Sequence, residues 1–238
     1  MAWYHKLMWH IDPITSMADL QERVGQFGFL PMFRCGIRGY SVYEATPHFW
    51  TDDEDGPWEW KGPVIRDGEC AYGKFFNRKA VWISRDWLPD FINYRRTKHL
   101  APNDDVAALD DIVLQTISSE GEIASKNIAE LLGLTGRKRK RQPGDLVDNT
   151  PVGEKVNLDP ILSRLMMEGR IVIADFIYNI DKCGNRYGWG IAKYSTPENQ
   201  YGNIKTDCSP QESYERIFAH LKKMVSVATD AQIKKLLG

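Results

Sequence analysis

The run Ile171-Val172-Ile173-Ala174-Asp175-Phe176-Ile177-Tyr178, the turn from Asp181 to Arg186, and the second run from Tyr187 to Tyr194 decide the fold. Both runs are rich in β-branched and aromatic residues, and the connection contains Gly184, so the segment reads as a β-hairpin. Immediately before it, Gly169 is placed to end a helix. That helix is expected to open at Asp159 with Pro160 in its first turn, and Ile161, Leu162, Leu165 and Met166 form its apolar face.

Moving further toward the N-terminus, Ser125 stands as an N-cap before Ile128, Leu131 and Leu132, and Gly133 stands where that helix should stop. Before that, Val106, Leu109, Val113, Thr116 and Ile117 recur at helical spacing up to Gly121. Helix, short turn, helix, loop, helix, hairpin is the order of a winged helix. In that helix-turn-helix variant the third helix can enter the DNA major groove while the hairpin lies along the backbone. The expected class is α+β, with tandem winged-helix-like units and a C-terminal helical segment.

The flanks complete this plan. Ser16 with Asp19 caps a helix through Leu20, Val24 and Phe27 to Gly28. The segment 29–83 is dense in Gly, Pro and aromatics, which predicts strands and long loops. A short helix with Pro89 in its first turn should run to Arg96. Near the C-terminus, Ser209-Pro210-Gln211-Glu212 and Thr229 to Gln232 are capping boxes for two last helices. Three segments result: an α+β block at 1–100, readable as a degenerate second winged helix, a winged helix at 101–202, and C-terminal helices at 203–238.

The chain has 238 residues, 42% hydrophobic and 26% charged, values that exclude collagen-like and mostly disordered classes. A net charge of −1 hides strong polarity along the sequence. From Glu44 to Glu69 eight acids face two bases; from Ala71 to Leu100 seven bases face two acids. Arg137-Lys138-Arg139-Lys140-Arg141 then stands between Gly136 and Gln142-Pro143-Gly144, which suits a solvated basic loop. Cys35, Cys70, Cys183 and Cys208 are scattered without metal-ligand spacing, so reduced thiols and no metal site are expected. His5 and His10 do not change that. With no signal-peptide pattern and no long apolar run, a cytoplasmic protein with no membrane partner is expected. G-x-x-x-x-G-K-[ST], G-x-G-x-x-G and G-x-S-x-G are all missing, and no cofactor is expected.

The segments GFLPMF (Gly28–Phe33), YSVYEATP (Tyr40–Pro47), GPWEWKGPVI (Gly56–Ile65), CAYGKFF (Cys70–Phe76) and DKCGNRYGWGIAKYSTPE (Asp181–Glu198) carry a resemblance over most of 24–202. The chain resembles the bacterial winged-helix DNA glycosylases of the AlkZ/YcaQ type, and more closely a subgroup of AlkZ-related proteins. The resemblance implies tandem winged helices around a basic concave surface and excision of alkylated bases or unhooking of crosslinks. It also implies a Gln-x-Gln or Gln-x-Asp signature after a Gly-x-Leu turn. Here Gly28-Phe29-Leu30 is followed by Pro31-Met32-Phe33, so neither polar group is present. A glycosylase needs a carboxylate or amide to aim water at the sugar as positive charge develops there.

Glu44, Glu59 and Glu69 are therefore candidate displaced carboxylates; the bland reading is that they are solvated loop charges. Trp58 and Trp60, taken as an extended segment, would share a face and stack on an unpaired base, or else plug the core. Arg137 to Arg141, Ser163 and Arg164 on the third helix, and Lys182 and Arg186 at the wing are the candidate DNA contacts. The sequence thus points to a DNA-binding protein related to repair glycosylases, with excision in doubt. A non-catalytic transcription regulator or nucleoid-associated factor, or an interaction scaffold that binds no DNA, are the alternatives.

Overall fold

The computed structural model describes residues 11–47, 49–50, 56–134, 156–184 and 186–238. The basic run Arg137 to Arg141 lies outside them. Helix α1 (Met17–Phe27) starts where Ser16 Oγ accepts the Asp19 N–H at 3.1 Å, and it buries Leu20, Val24 and Phe27. It ends at Gly28, whose φ of +71° lets the chain turn directly into β1 (Phe29–Pro31). An added Cβ there would stand 2.5 Å from Trp87 Cδ1 and 2.9 Å from His220 Nε2, so the glycine is required twice over.

The segment 29–83 departs from the expectation of strands and loops alone, because it contains two helices, α2 (Val42–Ala45) and α3 (Pro57–Arg66). Gly56 and Pro57 open α3 rather than break it: an extended N-cap followed by a residue whose missing N–H would have been unbonded in any case. Strands β2 (Cys70–Phe76) and β3 (Lys79–Ser84) form a hairpin through Asn77 and Arg78, both at positive φ, the two-residue turn whose twist matches the strands. β1 adds to the other side of β3, pairing Phe29 with Ile83 and Pro31 with Val81. Helix α4 (Leu88–Arg95) follows, with Pro89 in its first turn as expected.

The second half runs α5 (Asp104–Glu120), β4 (Ile123–Ala124), α6 (Ser125–Leu131), α7 (Leu158–Met167), β5 (Val172–Ile180) and β6 (Arg186–Ser195). Asn103 caps α5 through the Val106 N–H, and Gly121 ends it. The start of α6 falls at Ser125 with Ala124 as cap, and α7 begins at Leu158 with Asn157 as cap, one and two positions from the expected sites. Asn157 Oδ1 takes the Asp159 N–H and so displaces Asp159 from the capping role. α8 (Pro197–Tyr201), α9 (Pro210–Met224) and α10 (Asp230–Leu237) close the chain, the last two with both expected capping boxes.

Among the described residues all six strands lie in one antiparallel sheet, ordered β1-β3-β2-β5-β6-β4, so the architecture is α+β. β2 meets β5 at Tyr72 and Ile173, which ties the first hundred residues to the later hairpin. Residues from all three expected segments enter one buried cluster, from Ile11 to Leu237. Each fully buried side chain of the Trp82, Phe91 or Leu162 kind contributes about 1.5–3 kcal/mol. α9 packs along α4, where Ser213 Oγ donates to the buried Asp90 carboxylate at 2.8 Å. Among the described residues no helix is long and apolar enough to cross a membrane.

Candidate nucleic-acid interface

Helix α3 lies against β5, and the seam gathers groups from segments more than a hundred residues apart. Arg66 Nη1 holds Asp175 Oδ1 at 2.8 Å across it. One turn earlier Lys61, only 2% exposed, places Nζ 3.8 Å from the centroid of the Trp58 ring and 4.7 Å from that of Phe176. Its ammonium donates to the Trp58 carbonyl and forms no salt bridge among the described residues. Burial lowers the Lys61 pKa to about 8, with the Glu59 charge acting in the opposite direction.

Glu59, at the start of the same helix, accepts a long bond of 3.5 Å from the Tyr178 hydroxyl on β5. The phenol titrates above its ordinary value, first because burial disfavours phenolate and then because of the neighbouring Glu59 charge. Tyr178 lies across the ribbon on Gly190, where a Cβ would come within 3.0 Å of its ring. The Arg186 guanidinium, at the first residue of β6, stands 4.9 Å from the Tyr178 centroid, and both Arg186 and Lys182 are exposed. Helix start, phenol and basic ribbon are thus linked side chain to side chain.

The remaining predicted residues sit elsewhere. Trp58 and Trp60 do not share a face: on a helix, residues two apart point in nearly opposite directions. Trp60 is buried, whereas Trp58 is half-buried and packs 5.4 Å from Trp50, which is 57% exposed. Glu44 lies in the first turn of α2, which Ser41 caps; its carboxylate accepts the Ser41 hydroxyl at 2.7 Å and faces Arg34 at 3.7 Å, so it is engaged in local structure. Glu69 is exposed in the turn between α3 and β2.

On α7, Ser163 is 2% exposed and Arg164 makes a bidentate pair with Asp110 of α5, at 2.6 and 2.7 Å. The cause is that α7 buries Leu158, Ile161, Leu162, Leu165 and Met166 together with Ser163, leaving only its first turn outward. Ser163, expected to meet a phosphate, is thus buried, and Arg164, expected to do the same, is held by Asp110. The Asp110 hydrogen bonds raise the Arg164 pKa further, and the two charge-assisted bonds tie α7 to α5.

At the position of the expected excision signature, the side chains of Phe29, Leu30 and Met32 are fully buried and Pro31 is buried beside them. Phe33 packs against Tyr43 and Phe49. Met32 Sδ takes the Tyr72 hydroxyl at 3.0 Å, and no carboxylate or amide side chain occurs from Gly28 to Phe33. Among the described residues, no three His, Cys, Asp or Glu side chains gather to hold a metal ion.

Sequence reasoning missed Lys61, Asp175 and Tyr178. A signal for Lys61 was present: Trp58 and Lys61 are three apart, which on a helix stacks a cation over the indole. Reading the segment as extended concealed it.

A family profile described as AlkZ related matches residues 14–238 of the chain. Among solved structures, the Streptomyces sahachiroi DNA glycosylase AlkZ is similar in fold, with a TM-score of 0.50 at 10% sequence identity. The similarity covers 98% of this chain and 62% of that one, so the chain spans under two thirds of the length of the structure it matches. No curated protein matches the sequence.

Proposed function

This chain belongs to the AlkZ-related family, and on that premise we propose that it binds DNA across the β5–β6 ribbon of a winged-helix unit. Glu59 is the carboxylate best placed to act on a bound nucleotide. The observation that carries this reading is the Tyr178 side chain, which contacts Glu59 on one side and Arg186 on the other. Lys182 and Arg186 supply the phosphate contacts of the ribbon, and the Arg137 to Arg141 run adds a second basic arm. Each phosphate contact releases counterions, so binding weakens as salt rises.

Excision at this site would use the chemistry any glycosylase needs: a carboxylate that orients water toward C1′ while the sugar gains positive charge. An N7-alkylated purine leaves easily and asks least of that carboxylate. Glu59 is the one of the three sequence candidates that meets the basic ribbon through a shared side chain. A second reading, a non-catalytic regulator, is favoured by the apolar character of β1, where the family signature would stand.

Two assays decide between them. Binding to duplex DNA should fall with salt, and Arg186→Ala should lower the slope of log K against log salt by about 1. Duplex containing 7-methylguanine should release free base, and Glu59→Gln should stop the release. Salt-sensitive binding without any release supports the regulator; an absence of binding at low salt overturns both readings and leaves a scaffold.

A further inference from the structure

A single exposed apolar side chain is ordinary on a protein surface, and Ile180 at the outer end of β5 differs in what frames it. Side chains at every second position of a strand share a face, and Phe176, Tyr178 and Ile180 form such a row. Phe176 lies beneath the Lys61 ammonium, and Tyr178 reaches Glu59. As the row moves outward, its partner on α3 recedes from Lys61 to Glu59, close to the helix start at Pro57. Ile180 comes one step later and is left 65% exposed, more than any other large apolar side chain among the described residues.

Two cations frame it. Arg186 stands opposite Ile180 in the ribbon register, and Lys182 follows in the turn; both are exposed. The intervening Asp181 builds that turn, its carboxylate accepting the Cys183 N–H at 2.8 Å. Behind the tip, Ile177 pairs with Ile191 but Asn179 pairs with Tyr187, so β6 bulges there, through Gly188 at a φ of +73° and Gly190 under the Tyr178 ring. A bulge bends and twists its strand and re-aims the side chains beyond it. An apolar tip between two cations complements a duplex, whose charge lies on the outer phosphates and whose apolar surface lies within the base stack.

We propose that Ile180 is a wedge that enters the base stack of bound DNA while Arg186 and Lys182 hold the phosphates beside the opened step. Apolar side chains inserted in this way unstack neighbouring bases and bend the duplex. Isoleucine suits the task because branching at Cβ leaves it stiff, so little rotamer freedom is lost on insertion. Ile180 lies about 7 Å along the strand from Tyr178, the residue that meets Glu59, so the step it opens adjoins the site proposed for that carboxylate. The inference rests on the DNA-binding reading above and adds to it a deformation of the duplex.

The test uses the full chain and two duplexes that differ only by a central C·C mismatch, each with 2-aminopurine beside the central pair. Affinity is read by fluorescence anisotropy of an end label, and unstacking by 2-aminopurine emission, which rises when the base leaves its neighbours. A mismatched step is already partly unstacked, so a wedge prefers it. The unaltered chain should bind the mismatched duplex about tenfold more tightly and raise emission from the paired duplex about twofold at saturation. In Ile180→Ser the preference should fall below about twofold and the rise should vanish, whereas Ile180→Leu should keep both. Binding without the preference or without the rise, or a serine variant that retains them, overturns the inference and leaves the DNA-binding reading standing. An absence of binding at low salt overturns both.

Discussion

Two regions of this molecule, the strand β1 with its neighbours and the seam between α3 and β5, treat polar side chains in opposite ways. Around β1 the chain packs Phe29, Leu30 and Met32 to zero exposure and closes Gly28 against Trp87 and His220. At the seam it keeps an amine, two carboxylates, a phenol and two guanidinium groups within one short stretch of contact. Hydrogen-bonding groups in a low-dielectric setting are costly to hold unless each has a partner. The β1 region is given over to packing, whereas the seam retains groups able to donate and accept.

The largest effect should come from filling the first region. Gly28→Ala adds a Cβ at positive φ where Trp87 already stands, and it should lower stability in urea unfolding by about 3 kcal/mol or more. A loss under 1 kcal/mol would mean that the β1 end is loosely packed and the contrast overstated.

The next effect sets the packed helix α7 against the ribbon proposed to contact DNA. Arg164→Ala leaves Asp110 buried without its partner and should destabilise by about 3 kcal/mol, while Arg186→Ala should change stability by less than about 0.5 kcal/mol. On DNA affinity the order should reverse at temperatures where both variants are folded. If Arg164→Ala alone weakened binding, α7 rather than the ribbon would be the reading element.

The smallest effect concerns the charge on Lys61. Its pKa is about 8 in the folded chain and 10.5 as the ordinary value. Below pH 8 both states carry the proton and the burial penalty is present in full; between 8 and 10.5 the folded chain has released its proton while the unfolded chain still holds one, so stability rises with pH. Lys61→Met removes this dependence. The stability difference between the variant and the natural chain should shift by on the order of 1–2 kcal/mol from pH 7 to pH 10, in favour of the natural chain as pH rises. A flat difference would place the amine in water.

What was legible in the sequence is what neighbours along the chain decide. Ser16, Ser209 and Thr229 each cap a helix a few residues away, and the hairpin from Val172 to Ser195 has its own turn and its own alternation. Helix α3 was not legible, because Gly62 and Pro63 disfavour a helix interior and the packing of Trp60, Val64 and Ile65 outweighs them. The role of Arg164 depends on Asp110, and that of Lys61 depends on Phe176. Neither partner is near in sequence. The same limit applied to Glu59: the three candidate carboxylates were equivalent by composition, and only Tyr178, on a strand far along the chain, distinguishes one of them.

The pairing of Tyr72 with Ile173 also sets the order in which the molecule can be made. While the ribosome is still extending the chain, the free edge of β2 has no strand to meet until β5 has emerged about a hundred residues later. Bare strand edges and long-separated contacts are slow to resolve and prone to pair with another chain. Nascent fragments ending before Ile173 should accordingly be the most dependent on chaperones, and the completed ribbon should release them.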